Sequence, residues 1–122
     1  DYLKKAKVFL DFSASGGTPD LNKRLDAIED LVGKKASGQE GVKMAEDLIK
    51  IWEGVVRDLL LVNSGRPNLI QHHLVEKDLE QAAAGRNAKD IINIADNLRQ
   101  AREYLKANVN PKIVLENIAI NF

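Results

Sequence analysis

The sequence predicts an all-α fold, a compact helical bundle of five to six helices forming a single domain over 1–122. Apolar residues recur at three- and four-residue spacing through most of the chain, and β-branched alternation is nearly absent. The three prolines each fall at or near the boundary of such a segment, where a residue that blocks helix continuation does no harm. Glycine, asparagine, serine and threonine stand where those segments should stop and start. A chain of 122 residues can close a hydrophobic core without disulfides or metals.

The first helix is expected from about Tyr2 to Ser13, with Leu3, Ala6, Phe9 and Leu10 on its apolar side. Ser15-Gly16-Gly17-Thr18 breaks it, Thr18 is placed to cap the second helix, and Pro19 takes its first position. Leu21, Leu25, Ile28, Leu31 and Val32 follow a 3.6-residue pattern, and Gly33 stops it. Lys34 to Gly38 reads as a loop, with Ser37 and Glu40 at capping-box spacing. The third helix then continues to about Val62. At 100° steps its apolar residues, Trp52 among them, fill one half-circle. Lys43, Glu46, Asp47, Lys50, Glu53, Arg57 and Asp58 fill the other, with Leu61 the one large apolar residue on the charged side. A helix this long and two-faced needs several partners and should be the spine of the bundle.

Asn63 to Asn68 is a turn-rich loop, and Leu69 to Val75 is ambiguous between loop and a short helical turn. Glu76 to Ala84 reads as a short helix ending at Gly85. Asn87 caps a helix from Ala88 to Ala107 whose apolar arc holds Ala88, Ile91, Ile92, Ile94, Ala95, Leu98, Ala101 and Leu105. Asn108 can adopt the left-handed conformation that ends it, and Asn110-Pro111 opens the last helix. That helix has two apolar stripes. Val114, Leu115, Ile118, Ala119 and Phe122 form a broad one; Ile113 and Ile120 form a narrow one, flanked by Asn117 and Asn121 on one side and by Lys112 and Glu116 on the other. A second stripe means either deeper burial or a second partner.

Site chemistry is sparse. Eighteen Lys and Arg balance eighteen Asp and Glu, so no global basic field draws in nucleic acid. There is no cysteine, which excludes disulfides, thiol nucleophiles and cysteine zinc sites and fits a cytosolic protein. No apolar run is long enough to span a membrane. His72 and His73 are adjacent and project about 100° apart on a helix, which suits solvent-facing or capping roles better than a shared metal. No GxxxxGKS/T or GxGxxG phosphate cradle is present. Asp58 beside Arg57 and Asp96 near Arg99 read as surface pairs of little energetic weight. Trp52 reads as a core residue. Arg102 falls inside the apolar arc of its helix, where it must snorkel, pair or face another protein.

Two stretches carry a family resemblance. One is WEGVVRDLLL, from Trp52 to Leu61. The other is AREYLKANVNPKIVLENIAINF, from Ala101 to Phe122, with its AR-x-x-L, N-V-N-P and L-E followed by an apolar ending. In this order and spacing, with a short acidic helix over Val75 to Ala83 between them, they resemble the C-terminal collar domain of the delta-prime family of bacterial DNA polymerase III clamp-loader subunits. The resemblance covers about Trp52 to Phe122 and leaves residues 1 to about 50 without a motif.

The resemblance implies an oligomerisation domain at the end of a longer chain, preceded by ATPase-type domains; the helical pattern already running at Asp1 fits that expectation. Collar domains of such subunits close a pentameric ring that holds the assembly while it loads the sliding clamp onto primed DNA. The implied partners are the other clamp-loader subunits, with DNA and clamp met only through the assembly, in the bacterial cytoplasm. The implied cofactor count for this stretch is none, ATP belonging to other domains or subunits. The stretch itself is expected not to be an enzyme, although its parent complex belongs to a nucleotidyltransferase, the DNA-directed DNA polymerase. Collar domains of delta or gamma/tau subunits, a generic helical scaffold, and a ligand-binding regulatory domain of an enzyme are the alternatives. Leu61, Arg102, Ile113 and Ile120 are the candidate subunit-contact residues.

Overall fold

The computed structural model describes residues 2–14, 21–33, 38–71, 73–84 and 86–120. Among these residues the chain forms six α-helices and no strand: α1 (Tyr2–Ala14), α2 (Leu21–Val32), α3 (Gly38–Asn63), α4 (Glu76–Ala83), α5 (Ala88–Lys106) and α6 (Pro111–Ile120). Two short 3-10 turns follow α3: Pro67–Leu69, mostly within the expected loop, and His73–Val75, within the stretch that periodicity left ambiguous. The expected caps at Thr18 and Ser37, and the stop at Gly85, lie outside the described residues.

α3 is the spine and packs against every other α-helix. Its apolar half-circle supplies Ala45, Leu48, Ile49, Trp52, Val55, Val56 and Leu59 to the core. Trp52 is fully buried, and its ring stacks on Phe9 at 5.2 Å and meets Phe12 edge-on at 6.0 Å between centroids. Its indole N–H donates to the Lys5 carbonyl at 3.0 Å. Offset aromatic contacts of this kind contribute about 0.5–1.5 kcal/mol beyond the buried area, so they fix α1 to the spine. α4 closes over α1 and α3, while α2 packs chiefly on α6.

Local chemistry sets the helix ends. Gly33 takes φ +72° and donates its N–H to the Glu29 carbonyl at 2.7 Å, ending α2. The Asn87 side chain accepts from the Asp90 N–H at 2.9 Å, and the Asp90 carboxylate accepts from the Asn87 N–H at 3.4 Å, a reciprocal box that starts α5. Asn108 takes φ +64° after α5, and the Asn110 side chain accepts from the Lys112 and Ile113 N–H groups at 2.9 and 3.3 Å. The chain thereby reverses within a few residues and lays α6 back against α5. Among the described residues no helix is long and apolar enough to cross a membrane.

Candidate functional site

Once the broad stripe of α6 is in the core, the helical period fixes what remains outside. Val114, Leu115, Ile118 and Ala119 are buried. Residues 113, 117 and 120 then share the opposite side, three- and four-residue steps apart. Ile113 is 59% exposed and Ile120 49% exposed, so both side chains of the narrow stripe stand in solvent. Phe122, expected in the broad stripe, lies outside the described residues.

α5 extends this face. Asn93, Asn97, Gln100 and Tyr104 follow one another at four-, three- and four-residue steps and form an uncharged row. Asn97, Gln100 and Tyr104 line a cleft of about 290 Å3 together with Asn117 and Ile118 of α6. Tyr104 is itself more than a third exposed. The surface is thus two isoleucines, a tyrosine and several amides, with no ionisable carboxylate or cation in the row. Tyrosine and amides combine contact area with adaptable hydrogen bonding, which suits a surface that meets another protein.

The opposite flank of α5 is charged. Glu46, Asp47 and Lys50 of α3 and Arg102 and Lys106 of α5 line a cleft of about 480 Å3. Arg102 forms an ion pair with Glu53 across this groove. The pairing accounts for a charge inside the α5 apolar arc without a second subunit, while the Arg102 side chain stays exposed on the charged flank. Leu61 also differs from expectation. It is half-buried and packs against the edge of the core, because the chain after α3 folds back over this end of the helix. Of the four sequence candidates, only Ile113 and Ile120 come together on one open face.

The fold-back also overturns the surface reading of Asp58. That carboxylate is fully buried and accepts the Gln71 N–H through both oxygens, at 3.2 and 3.1 Å, with Arg57 Nη1 at 3.9 Å. At 100° steps Asp58 borders Ile51 and Val62 at the margin of the apolar arc, and that margin is what the returning segment covers. Asp96 and Arg99, by contrast, form the expected exposed pair at 3.6 Å. Ile92 was expected in the α5 core arc but is 49% exposed, since at 100° steps it lies at the arc's edge.

One residue escaped the sequence reading altogether. Arg24 of α2 donates from Nη1 to the Ala119 carbonyl at 2.7 Å and from Nη2 to the Phe12 carbonyl at 2.5 Å. Its guanidinium also sits 5.8 Å from the Phe12 ring centroid. The signal was present: at 100° steps Arg24 falls between Ile28 and Leu31, inside the apolar arc of α2. Burial foremost, and the Arg86 charge after it, lower its pKa below the usual arginine value, and a guanidinium so placed remains charged at neutral pH.

Among the described residues no three His, Asp or Glu side chains gather where they could hold a metal ion. His72 and the His73 side chain lie outside the described residues. Compared with known proteins, the chain matches no family model, no curated protein and no solved structure.

Proposed function

We propose that the chain is an assembly domain that binds another protein through the α5–α6 face, and that it serves as the collar domain of a bacterial clamp-loader subunit of the delta-prime kind. The observation that carries the reading is the divided use of α6: one apolar stripe fills the core and the other, Ile113 and Ile120, stands in solvent. A standard interface covers about 800 Å2 on each partner, more than two isoleucines supply, and the uncharged α5 row provides the remaining contact area. The clamp-loader part of the reading is supported by WEGVVRDLLL on α3 and by N-V-N-P at the α5–α6 reversal. In that role the domain holds neighbouring subunits in a ring while ATPase-type domains elsewhere load the sliding clamp onto primed DNA. ATP binds other domains or subunits, and DNA is met through the assembly.

The test is the double variant Ile113→Asp/Ile120→Asp, mixed with purified bacterial clamp-loader delta and gamma/tau subunits and passed over a sizing column. The wild-type chain should co-elute with them, and the double variant should keep its helical circular dichroism but elute alone. A wild-type chain that fails to co-elute removes the clamp-loader assignment. A double variant that still co-elutes moves the interface away from α6.

A further inference from the structure

We infer that Arg24 is the positioning residue of the α6 contact face: carried on α2, its guanidinium closes the C-terminal ends of α1 and α6 together and so fixes where the last turn of α6, with Ile120, stands. The contact role of Ile120 rests on the function proposed above; the positioning itself does not.

A helix leaves its last four carbonyls without an internal partner. Phe12 belongs to the last turn of α1 and Ala119 to the last turn of α6, and Arg24 donates to both carbonyls from separate nitrogens. Neither helix carries a basic residue of its own in its last turn. The negative ends of two helix dipoles are therefore answered by one borrowed cation. The rigid planar fork matters here, because an ammonium is a single point charge and cannot present two nitrogens at a fixed separation. Ala119 is the residue immediately before Ile120, so this bond acts on the turn that displays the exposed side chain.

The contacts form a continuous chain from the spine to the surface. Trp52 on α3 touches Phe12 on α1, Phe12 carries the Arg24 guanidinium on its ring, and Arg24 holds Ala119 on α6. α2 packs chiefly on α6, so a displacement of α2 reaches the contact face before it reaches the spine.

Hydrogen exchange on the 122-residue chain tests this, using Arg24→Met, which keeps the apolar stem, and Arg24→Lys, which keeps the charge. In Arg24→Met the amides of residues 117–120 should exchange about fivefold faster, as expected for loss of a C-terminal cation and its hydrogen bond. Amides of α3 around Trp52 should be unchanged, and Arg24→Lys should fall between Met and wild type. Co-elution of the Arg24→Met chain with delta and gamma/tau subunits should weaken with little change in Tm. Unchanged exchange at 117–120 overturns the inference, whatever the chain binds. Uniform acceleration in every helix overturns it too, because Arg24 is then a general stabiliser; if the Met variant does not fold, the Lys variant decides by the same comparison. Faster exchange at 117–120 in a protein whose wild type captures no clamp-loader subunit leaves the positioning role standing and removes the assembly reading instead.

Discussion

α3 and α6 each place one apolar side in the core, and they differ in what lies on the other side. Around α3 the remaining arc is mostly charged, with Lys43, Glu46, Asp47, Lys50 and Arg57 in solvent. Around α6 the remaining arc holds Ile113 and Ile120. The first pattern is complete within the chain: apolar atoms find partners and charges find water. The second leaves apolar area over after the core has closed, which is the surface the proposed assembly role would use. An apolar arc therefore explains folding only as far as the chain's own helices cover it.

The sharpest way to break this contrast is to attack each helix on its covered side. Trp52→Ala removes the ring that joins α3 to Phe9, Phe12 and the Lys5 carbonyl, and should cost about 3–5 kcal/mol in denaturant unfolding. On α6, Val114→Asp and Ile113→Asp alter neighbouring residues about 100° apart on one helix, the first covered and the second exposed. Val114 is 1% exposed, so the first should unfold the chain or lower its midpoint severely. The second should stay within about 0.5 kcal/mol of wild type. Equal destabilisation by both would show that the narrow stripe is core after all.

Asp58 tests whether the polar arc of α3 is as inert as its charges imply. Asp58→Ala should cost about 1–3 kcal/mol, because the Gln71 N–H loses its acceptor, and exchange at that amide should quicken. The smallest effect is expected at Asp11 on α1. Burial foremost, then repulsion from Asp78 on α4, holds its carboxyl above the usual carboxylate range, with Lys7 partly offsetting the rise. The folded chain thus binds this proton more tightly than the unfolded chain. The group costs stability at neutral pH; the cost declines as pH falls through the raised value and is gone below the ordinary carboxylate value. Asp11→Asn should therefore raise the Tm slightly at pH 7 and leave it unchanged near pH 3.

Much of this architecture was legible because its determinants are local. Asn87, Asn108, Asn110 and Gly33 act within a few residues of themselves, so their roles could be read from spacing, and the structure shows each in that role. The two α6 stripes were legible for the same reason, since angular position depends only on helical period. Whether the second stripe would be buried as well was not, because that depends on where α5 and α2 pack. Asp58 and Ile92 were misplaced on similar grounds: each lies near an arc boundary, and only tertiary packing decides whether a boundary is wet or dry. Leu61 lies amid the charged arc and is nonetheless half-buried against the edge of the core. Arg24 could have been found by the reasoning applied to Arg102, as a cation inside an apolar arc. Its acceptors lie on two other helices, 12 and 95 residues away, and no local pattern points to them.

The stack of Trp52 on Phe9 makes the molecule its own optical reporter. The chain has a single tryptophan, so its emission above the tyrosine background comes from one place. Sealed from water and bonded to the Lys5 carbonyl, the indole should emit at short wavelength in the folded chain and shift to the red when α1 leaves α3. A protein seated on Ile113 and Ile120 touches none of the rings around it. Any change in that emission on binding must therefore travel through the helices between, by way of Ala119, Arg24 and Phe12 or directly from α5 and α6 into α3, so a fluorometer can report whether the outer face and the interior move together.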